Sequence, residues 1–287
     1  MRIRELFGRA QPVYSFEFFP PKTEAGEQSL LRTIDKLRPL EPSFVSVTYG
    51  AGGTTREKTI EIVSRVKREQ GLEAMAHLTC VGHSRDEIAA ILDRLSAAGL
   101  ENVLALRGDP PRGETAFTRP ADGFGYASEL AAFIVSRGHG FGLGGAGYPE
   151  GHPECTDRDL DVTHLRAKVD AGVEVIITQL FYDNRDYFAF VDRARRAGIT
   201  VPILPGIMPI TNVPQIERIT ALCGARIPAD LSQRLHAADG EEAVLQVGVA
   251  HALAQCRDLL AGGAPGIHFY TLNQSPATAA ILAELRR

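Results

Sequence analysis

Glu17 stands in Ser15-Phe16-Glu17-Phe18-Phe19-Pro20-Pro21, a carboxylate among aromatic rings. The stretch reads as a strand, and strand side chains alternate in direction. Glu17 therefore points opposite to Phe16 and Phe18, into or out of whatever the strand belongs to. A carboxylate kept near apolar rings is expected to have a raised pKa, which suits a general acid at neutral pH. A strand-end glutamate in an ion pair fits the same residues. Further along, Arg107 and Asp109 flank Gly108 in Leu104-Ala105-Leu106-Arg107-Gly108-Asp109-Pro110-Pro111. The glycine lets the backbone turn and a ligand come close, although a structural Arg–Asp pair around a turn has the same spelling.

Thr48-Tyr49-Gly50-Ala51-Gly52-Gly53-Thr54-Thr55 is a Gly-rich strand-to-helix loop. Such loops offer backbone N–H groups and a helix N-terminus to phosphate. It lacks the Gly-Lys-Ser/Thr ending of a P-loop, and a plain tight turn is the alternative. Tyr148-Pro149-Glu150-Gly151-His152-Pro153-Glu154 is a rigid loop carrying an aromatic ring and an imidazole. His77 closes a strand, as a core histidine or as a ligand contact. Gln179, in Thr178-Gln179-Leu180-Phe181, puts at a strand end an amide that can read a planar heterocycle by donating and accepting.

Other chemistries find little support. None of the eight histidines belongs to a His-Glu-x-x-His or similar ligand set, so no metal site is expected. There is no Gly-x-Ser-x-Gly elbow, and Cys80 has no evident activating partner. Gly142-x-Gly144-x-x-Gly147 matches the dinucleotide fingerprint by letter, but the glycines lie inside an apparent strand and no helix opens after them. Small residues in a crowded barrel explain them better.

These groups need elements to hold them. Apolar runs read as strands near Val13–Phe19, Phe44–Tyr49, Glu73–Thr79, Asn102–Arg107, Phe141–Tyr148, Glu174–Gln179, Ile203–Ile207 and Gly266–Thr271, most of them recurring at about 30 residues, one βαβ unit per step. Helical periodicity lies between them, as at Asp86–Ala98 and Asp161–Ala171. Ser84-x-x-Glu87 and Thr54-x-x-Glu57 read as capping boxes. The pattern predicts an α/β fold, a (β/α)8 TIM barrel forming a single catalytic domain over residues 1–287. The long interval before the last strand predicts an extra helix and a loop at Ile227–Asp239. A polar residue follows almost every strand: Glu17, Thr48, His77, Arg107 with Asp109, Tyr148 with His152, Gln179, and Asn273 with Gln274. A barrel gathers such ends on one rim, where active sites sit.

The 287 residues carry a net charge of −4 with both signs interspersed and no basic block, which excludes an evident nucleic-acid face. No apolar stretch reaches the roughly 18 residues of a membrane helix, and no signal peptide is read at the start. Four scattered cysteines fit a reducing cytoplasm rather than a disulfide framework.

In this order, Phe16–Pro21, Val47–Gly53, His77–Cys80, Leu106–Asp109, Tyr148–Glu154, Lys168–Gly172, Ile177–Phe181, Pro205–Pro209 and His268–Asn273 together resemble methylenetetrahydrofolate reductases. The resemblance covers almost the whole chain, which looks like the short bacterial type, without an added regulatory domain. It implies FAD at the barrel rim, reduced by NADH or NADPH and reoxidised by 5,10-methylenetetrahydrofolate to give 5-methyltetrahydrofolate. Glu17 would be the acid that helps open the folate's five-membered ring, and Asp109 would tune the flavin. Flavin contacts would fall on Tyr49, Ala51, His77, Arg107, Gly108, Tyr126, Ala127, Tyr148, His152, Asp161, His164 and Lys168. Thr48, Gln179, Gln215 and Gln274 would meet the nicotinamide or the folate. The family resemblance also implies a homo-oligomer of one-carbon metabolism and methionine biosynthesis. A flavoprotein subunit that takes electrons from a partner protein carries the same motifs. Two positions depart from the pattern. Gln274 replaces an arginine that many relatives use against the folate tail, a charge-assisted contact whose loss costs on the order of 1–3 kcal/mol. Ile219 stands where some relatives have an aromatic ring.

Overall fold

Parallel strands alternate with helices along the chain: β1 (Val13–Phe18), α1 (Glu24–Leu37), β2 (Phe44–Val47), α2 (Gly53–Gln70), β3 (Ala74–Thr79), α3 (Arg85–Ala97), β4 (Asn102–Leu106), α4 (Ala127–Ser136), β5 (Gly142–Gly147), α5 (Arg158–Asp170), β6 (Val175–Thr178), α6 (Asn184–Arg196), β7 (Ile203–Leu204), β8 (Gly206–Ile207), α7 (Val213–Cys223), α8 (Ala229–Ala237), α9 (Gly240–Ala261), β9 (Gly266–Tyr270) and α10 (Pro276–Leu285). The computed structural model describes residues 1–49, 53–110, 117–274 and 276–287, with the backbone alone for residues 53–57. Ala51 and the capping box expected at Thr54 and Glu57 lie outside the described residues and side chains.

The strands pair in parallel in the order β7-β6-β5-β4-β3-β2-β1-β9-β8. β7 and β8 are two halves of one strand, separated by Pro205. β7 pairs with β6 and β8 pairs with β9, so this strand closes the sheet into the expected (β/α)8 barrel. Proline offers no N–H to a ladder. Bonds around it close the gap instead: Pro205 O accepts from His268 N at 2.9 Å, and Gly206 N donates to Thr178 Oγ1 at 2.9 Å.

The two-residue strand period sorts each strand onto two faces. Along β1, Tyr14, Phe16 and Phe18 join the core between sheet and helices. Val13 faces the barrel interior, where it meets Phe44, Met75, Leu104, Val175, Ile177 and Leu204, with Ile3 and Leu6 of a short 3₁₀ turn packed on the same cluster. The interior thus has an apolar floor. Above it the inward positions turn polar: Ser15 and Glu17 on β1, Ser46 on β2, His77 on β3 and His268 on β9, all buried.

The glycines of β5 are packing positions, as expected. A Cβ on Gly144 would stand 2.7 Å from Leu104 Cδ1, and one on Gly147 would stand 2.8 Å from both Ile176 and Phe190. The Ser84–Glu87 capping box is present at the start of α3. The segment Ile227–Asp239, read from sequence as a loop, is mostly helix α8. Pro228 precedes its first residue, and Leu231 and Leu235 bury against Leu180, Tyr182, Met208, Ile210 and Ile216. This satellite core supports the long connection between β8 and β9. α9 then packs against α6, α8 and α10.

Closure at Gly206 leaves no room for a side chain. A Cβ there would come within 2.3 Å of Thr178 O and 2.6 Å of the Tyr270 ring. Gly206→Ala is expected to destabilise the protein by about 2 kcal/mol or more, measured by urea unfolding; an unchanged midpoint would show that the closing strand yields freely.

Candidate functional site

Glu17 ends the inward-facing row of β1, and its side chain is only 8% exposed. Its Oε2 lies 3.3 Å from His268 Nε2 and 3.4 Å from His77 Nε2. His268 is fully buried, and its Nδ1 is 2.8 Å from Ser15 Oγ. With the Ser15 hydroxyl donating to Nδ1, His268 presents Nε2–H to the carboxylate. Thr271 Oγ1 donates to Glu17 O at 2.6 Å and fixes the strand end. Tyr270 donates to Thr178 O at 2.6 Å; burial raises its phenol well above the usual range. Burial also pulls the His77 imidazole down to about 4, against the attraction of Glu17. Its Nε2, 3.4 Å from Glu17 Oε2, makes no well-aligned hydrogen bond among the described residues. A carboxylate held between imidazoles, at the inner end of an open rim, is suited to passing a proton to or from a bound molecule.

The rim over β3–β6 carries the cationic and aromatic groups. Arg107 forms a fork with Glu154, both bonds 2.6 Å. The Arg–Asp pair considered from sequence is therefore replaced by Arg107–Glu154, while Asp109 is exposed on the rim. Gly108 has φ +87°, and a Cβ there would meet Val81 at 2.8 Å, so the turn between the two charged residues requires glycine. Tyr148 and His152 stack edge to face with centroids 4.6 Å apart. Burial pushes the Tyr148 phenol up to about 12, with Asp109 adding to it. The His152 imidazole is lowered by burial and by Arg107, and its backbone N–H donates to Asp161 at 3.3 Å. Lys168, on α5, donates to Ala146 O at 2.9 Å and lies 5.9 Å from the Tyr148 ring centre. Burial pulls its ammonium down to about 8, opposed by Asp161.

Of the expected rim residues, Arg107, Asp109, Tyr148, His152, Asp161 and Lys168 come together. Thr48 and Tyr49 follow β2, and Tyr49 Oη lies 3.0 Å from His83 Nε2. Gln179 follows β6 and turns Oε1 onto Leu180 N at 2.9 Å. Tyr126 and Ala127 start α4, and Tyr126 is 61% exposed. His164 is exposed on α5. Gln215 and Gln274 line a separate cavity of about 650 Å³ with Arg218, Glu241, Glu242 and Tyr270. Asn273 is structural: its amide pairs with both backbone groups of Phe19, at 2.8 and 2.9 Å. His268 and Tyr270 were missed as site residues. Their signal was the same alternation that marked Glu17, since Ile267 and Phe269 face the outer core.

A parallel barrel with a buried carboxylate and a polar rim at its strand ends defines the class of barrel enzymes that work from that face. The chain belongs to the methylenetetrahydrofolate reductase family, whose model matches residues 2–286. It is 40% identical to the 5,10-methylenetetrahydrofolate reductase of Escherichia coli, over 93% of this chain and 88% of that one. It is 41% identical to methylenetetrahydrofolate reductase (NADH) 1 of Arabidopsis thaliana, over 99% of this chain. The chain spans about half the length of that plant relative. Among solved structures, a Clostridium thermocellum protein that binds two copies of 5-methyl-5,6,7,8-tetrahydrofolic acid has the same fold, with TM-score 0.69, 16% identity and coverage of 97% and 96% of the two chains. No helix among the described residues is long and apolar enough to cross a membrane.

The depressed His77 has a consequence for stability. An unfolded histidine takes its proton near pH 6.5, whereas folded His77 takes one only near 4. The unfolded state holds the extra proton between these values, so stability falls as pH drops from 6.5 towards 4, by roughly 3 kcal/mol at most. Urea unfolding of the wild type is expected to lose more stability over this window than that of His77→Gln; parallel losses would show that His77 is not held neutral.

Proposed function

We propose that this protein is a flavin-dependent methylenetetrahydrofolate reductase whose catalytic domain is the barrel over residues 1–287. The observation that carries the reading is the buried Glu17 carboxylate between His77 and His268 at the mouth of a family barrel. When bound, FAD would supply the redox chemistry, hydride transfer from NADH or NADPH to the methylene carbon of 5,10-methylenetetrahydrofolate.

The rim fits such a cofactor by its donor set. Arg107 and Lys168 place two cations beside the Tyr148 and His152 rings, a combination suited to a diphosphate and a flat heterocycle. The His77 imidazole, 3.4 Å from Glu17 Oε2, is a further polar group on this side of the interior. Tyr49, Ala51, Gly108, Tyr126, Ala127, Asp161 and His164 complete the cofactor contacts in this reading, and Asp109 tunes the flavin from the rim. Thr48 and Gln179 take the nicotinamide and folate in turn. Gln215 and Gln274 contact the folate from the cavity they share.

Glu17 acts at the folate. Protonated, it gives a proton to a ring nitrogen of the five-membered ring, so that the ring opens and the methylene carbon becomes electrophilic. His268 and Ser15 hold the carboxyl in place.

Separating the half-reactions tests this. Glu17→Gln is expected to keep bound flavin and its reduction by nicotinamide, and to lower folate turnover by about 10²–10⁴. Equal loss in both half-reactions would remove the acid role. Lys168 supplies a pH test. Below about pH 8 its ammonium is charged and attracts the diphosphate; above that the free protein loses the charge. FAD affinity, followed by flavin fluorescence, is expected to weaken as pH rises above 8, and Lys168→Met to flatten the profile. A wild-type profile flat to pH 10 would place Lys168 away from the phosphates.

A further inference from the structure

The loop after β5 is tied to the C-terminal end of α7. Glu150, with its side chain 8% exposed, accepts from the Arg226 backbone N–H at 3.1 Å and from Arg226 Nε at 2.8 Å. The same guanidinium reaches Asp186 on α6 at 3.2 Å. Two residues earlier, Gly224 ends α7 in the left-handed region at φ 75°. A Cβ there would stand 3.2 Å from Pro153. Cys223 and Ala225 share a small cleft with Tyr148, Pro149 and Gln179. The N-terminal half of α7 carries Gln215 and Arg218 to the large cavity. One helix therefore touches the cavity at its start and the Tyr148–Glu154 loop at its end.

We infer that Arg226 is a positioning residue for the cofactor, setting Tyr148 and His152 through Glu150; the inference rests on the flavin reading above. An exposed ion pair contributes little in general. Glu150 is different because its carboxylate is buried and can only accept. Without the Arg226 side chain it loses its charged donor, and a buried carboxylate so left is costly. The loop then relaxes until water reaches Glu150, and Tyr148 and His152 move with it.

The test measures FAD dissociation constants and the circular dichroism of bound flavin in Arg226→Ala, Arg226→Lys and Glu150→Gln, with apoprotein melting temperatures alongside. Arg226→Ala is expected to weaken FAD binding by about tenfold, the effect of losing one charge-assisted contact, and to alter the flavin circular dichroism. Arg226→Lys recovers part of both, since one ammonium replaces the Nε contact without the fork. Glu150→Gln, which keeps an acceptor, weakens binding less than Arg226→Ala. Unchanged affinity and circular dichroism in Arg226→Ala and Glu150→Gln overturn the inference. A loss that follows apoprotein melting and that lysine does not recover also overturns it, because general unfolding then accounts for it. A wild-type protein that takes up no FAD overturns the flavin reading itself, a result distinct from the other two.

Discussion

A carboxylate buried at the inner mouth of a closed barrel must find its partners among the other inward-facing side chains. Glu17 finds His268 and His77, and much of the architecture follows from bringing those three strands into register. β1 pairs directly with β9, which sets Ser15 opposite His268 and Glu17 opposite Tyr270. His77 is two strands away and reaches the same oxygen across the interior. An open sheet would leave this carboxylate at a face; closure through Ile203–Ile207 makes it a shared centre. The split of that strand at Pro205, and the lack of space at Gly206, belong to the same requirement.

The interior is graded along its axis. Apolar side chains fill the end where the strands begin, so the polar cluster lies over an apolar floor, towards the rim. The rim is graded around its circumference. Its cations and rings, Arg107, Lys168, Tyr148 and His152, collect over β4–β6, whereas the amides Gln215 and Gln274 lie in the cavity built by α7, α9 and the β9–α10 connection. Glu17 lies beside the second region, opposite Tyr270 in the β1–β9 pairing.

The strands and the barrel were legible in the sequence because they rest on local period. Two-residue alternation and repeats of about 30 residues survive in a linear text, as in Ser15-Phe16-Glu17-Phe18. His268 and Tyr270 obey the same alternation, but in Ile267-His268-Phe269-Tyr270 the inward pair looks like part of an apolar run. The bonding role of Asn273 was not legible because its partner, the Phe19 backbone, is 254 residues distant in sequence. The Arg107–Glu154 and Arg226–Glu150 pairs are also long-range, and charge pairing across a fold has no local spelling. Helix α8 was hidden because its nine residues bury only two large side chains, Leu231 and Leu235, against a core that exists only after folding.

As proposed, this barrel carries electrons from nicotinamide to folate through a bound flavin. Visible absorbance under anaerobic conditions tests it most directly. The flavin-loaded protein should bleach on adding NADH or NADPH and regain its colour on adding 5,10-methylenetetrahydrofolate, with 5-methyltetrahydrofolate as the product. A flavin that neither nicotinamide bleaches, or that the folate cannot reoxidise once reduced, would contradict the account.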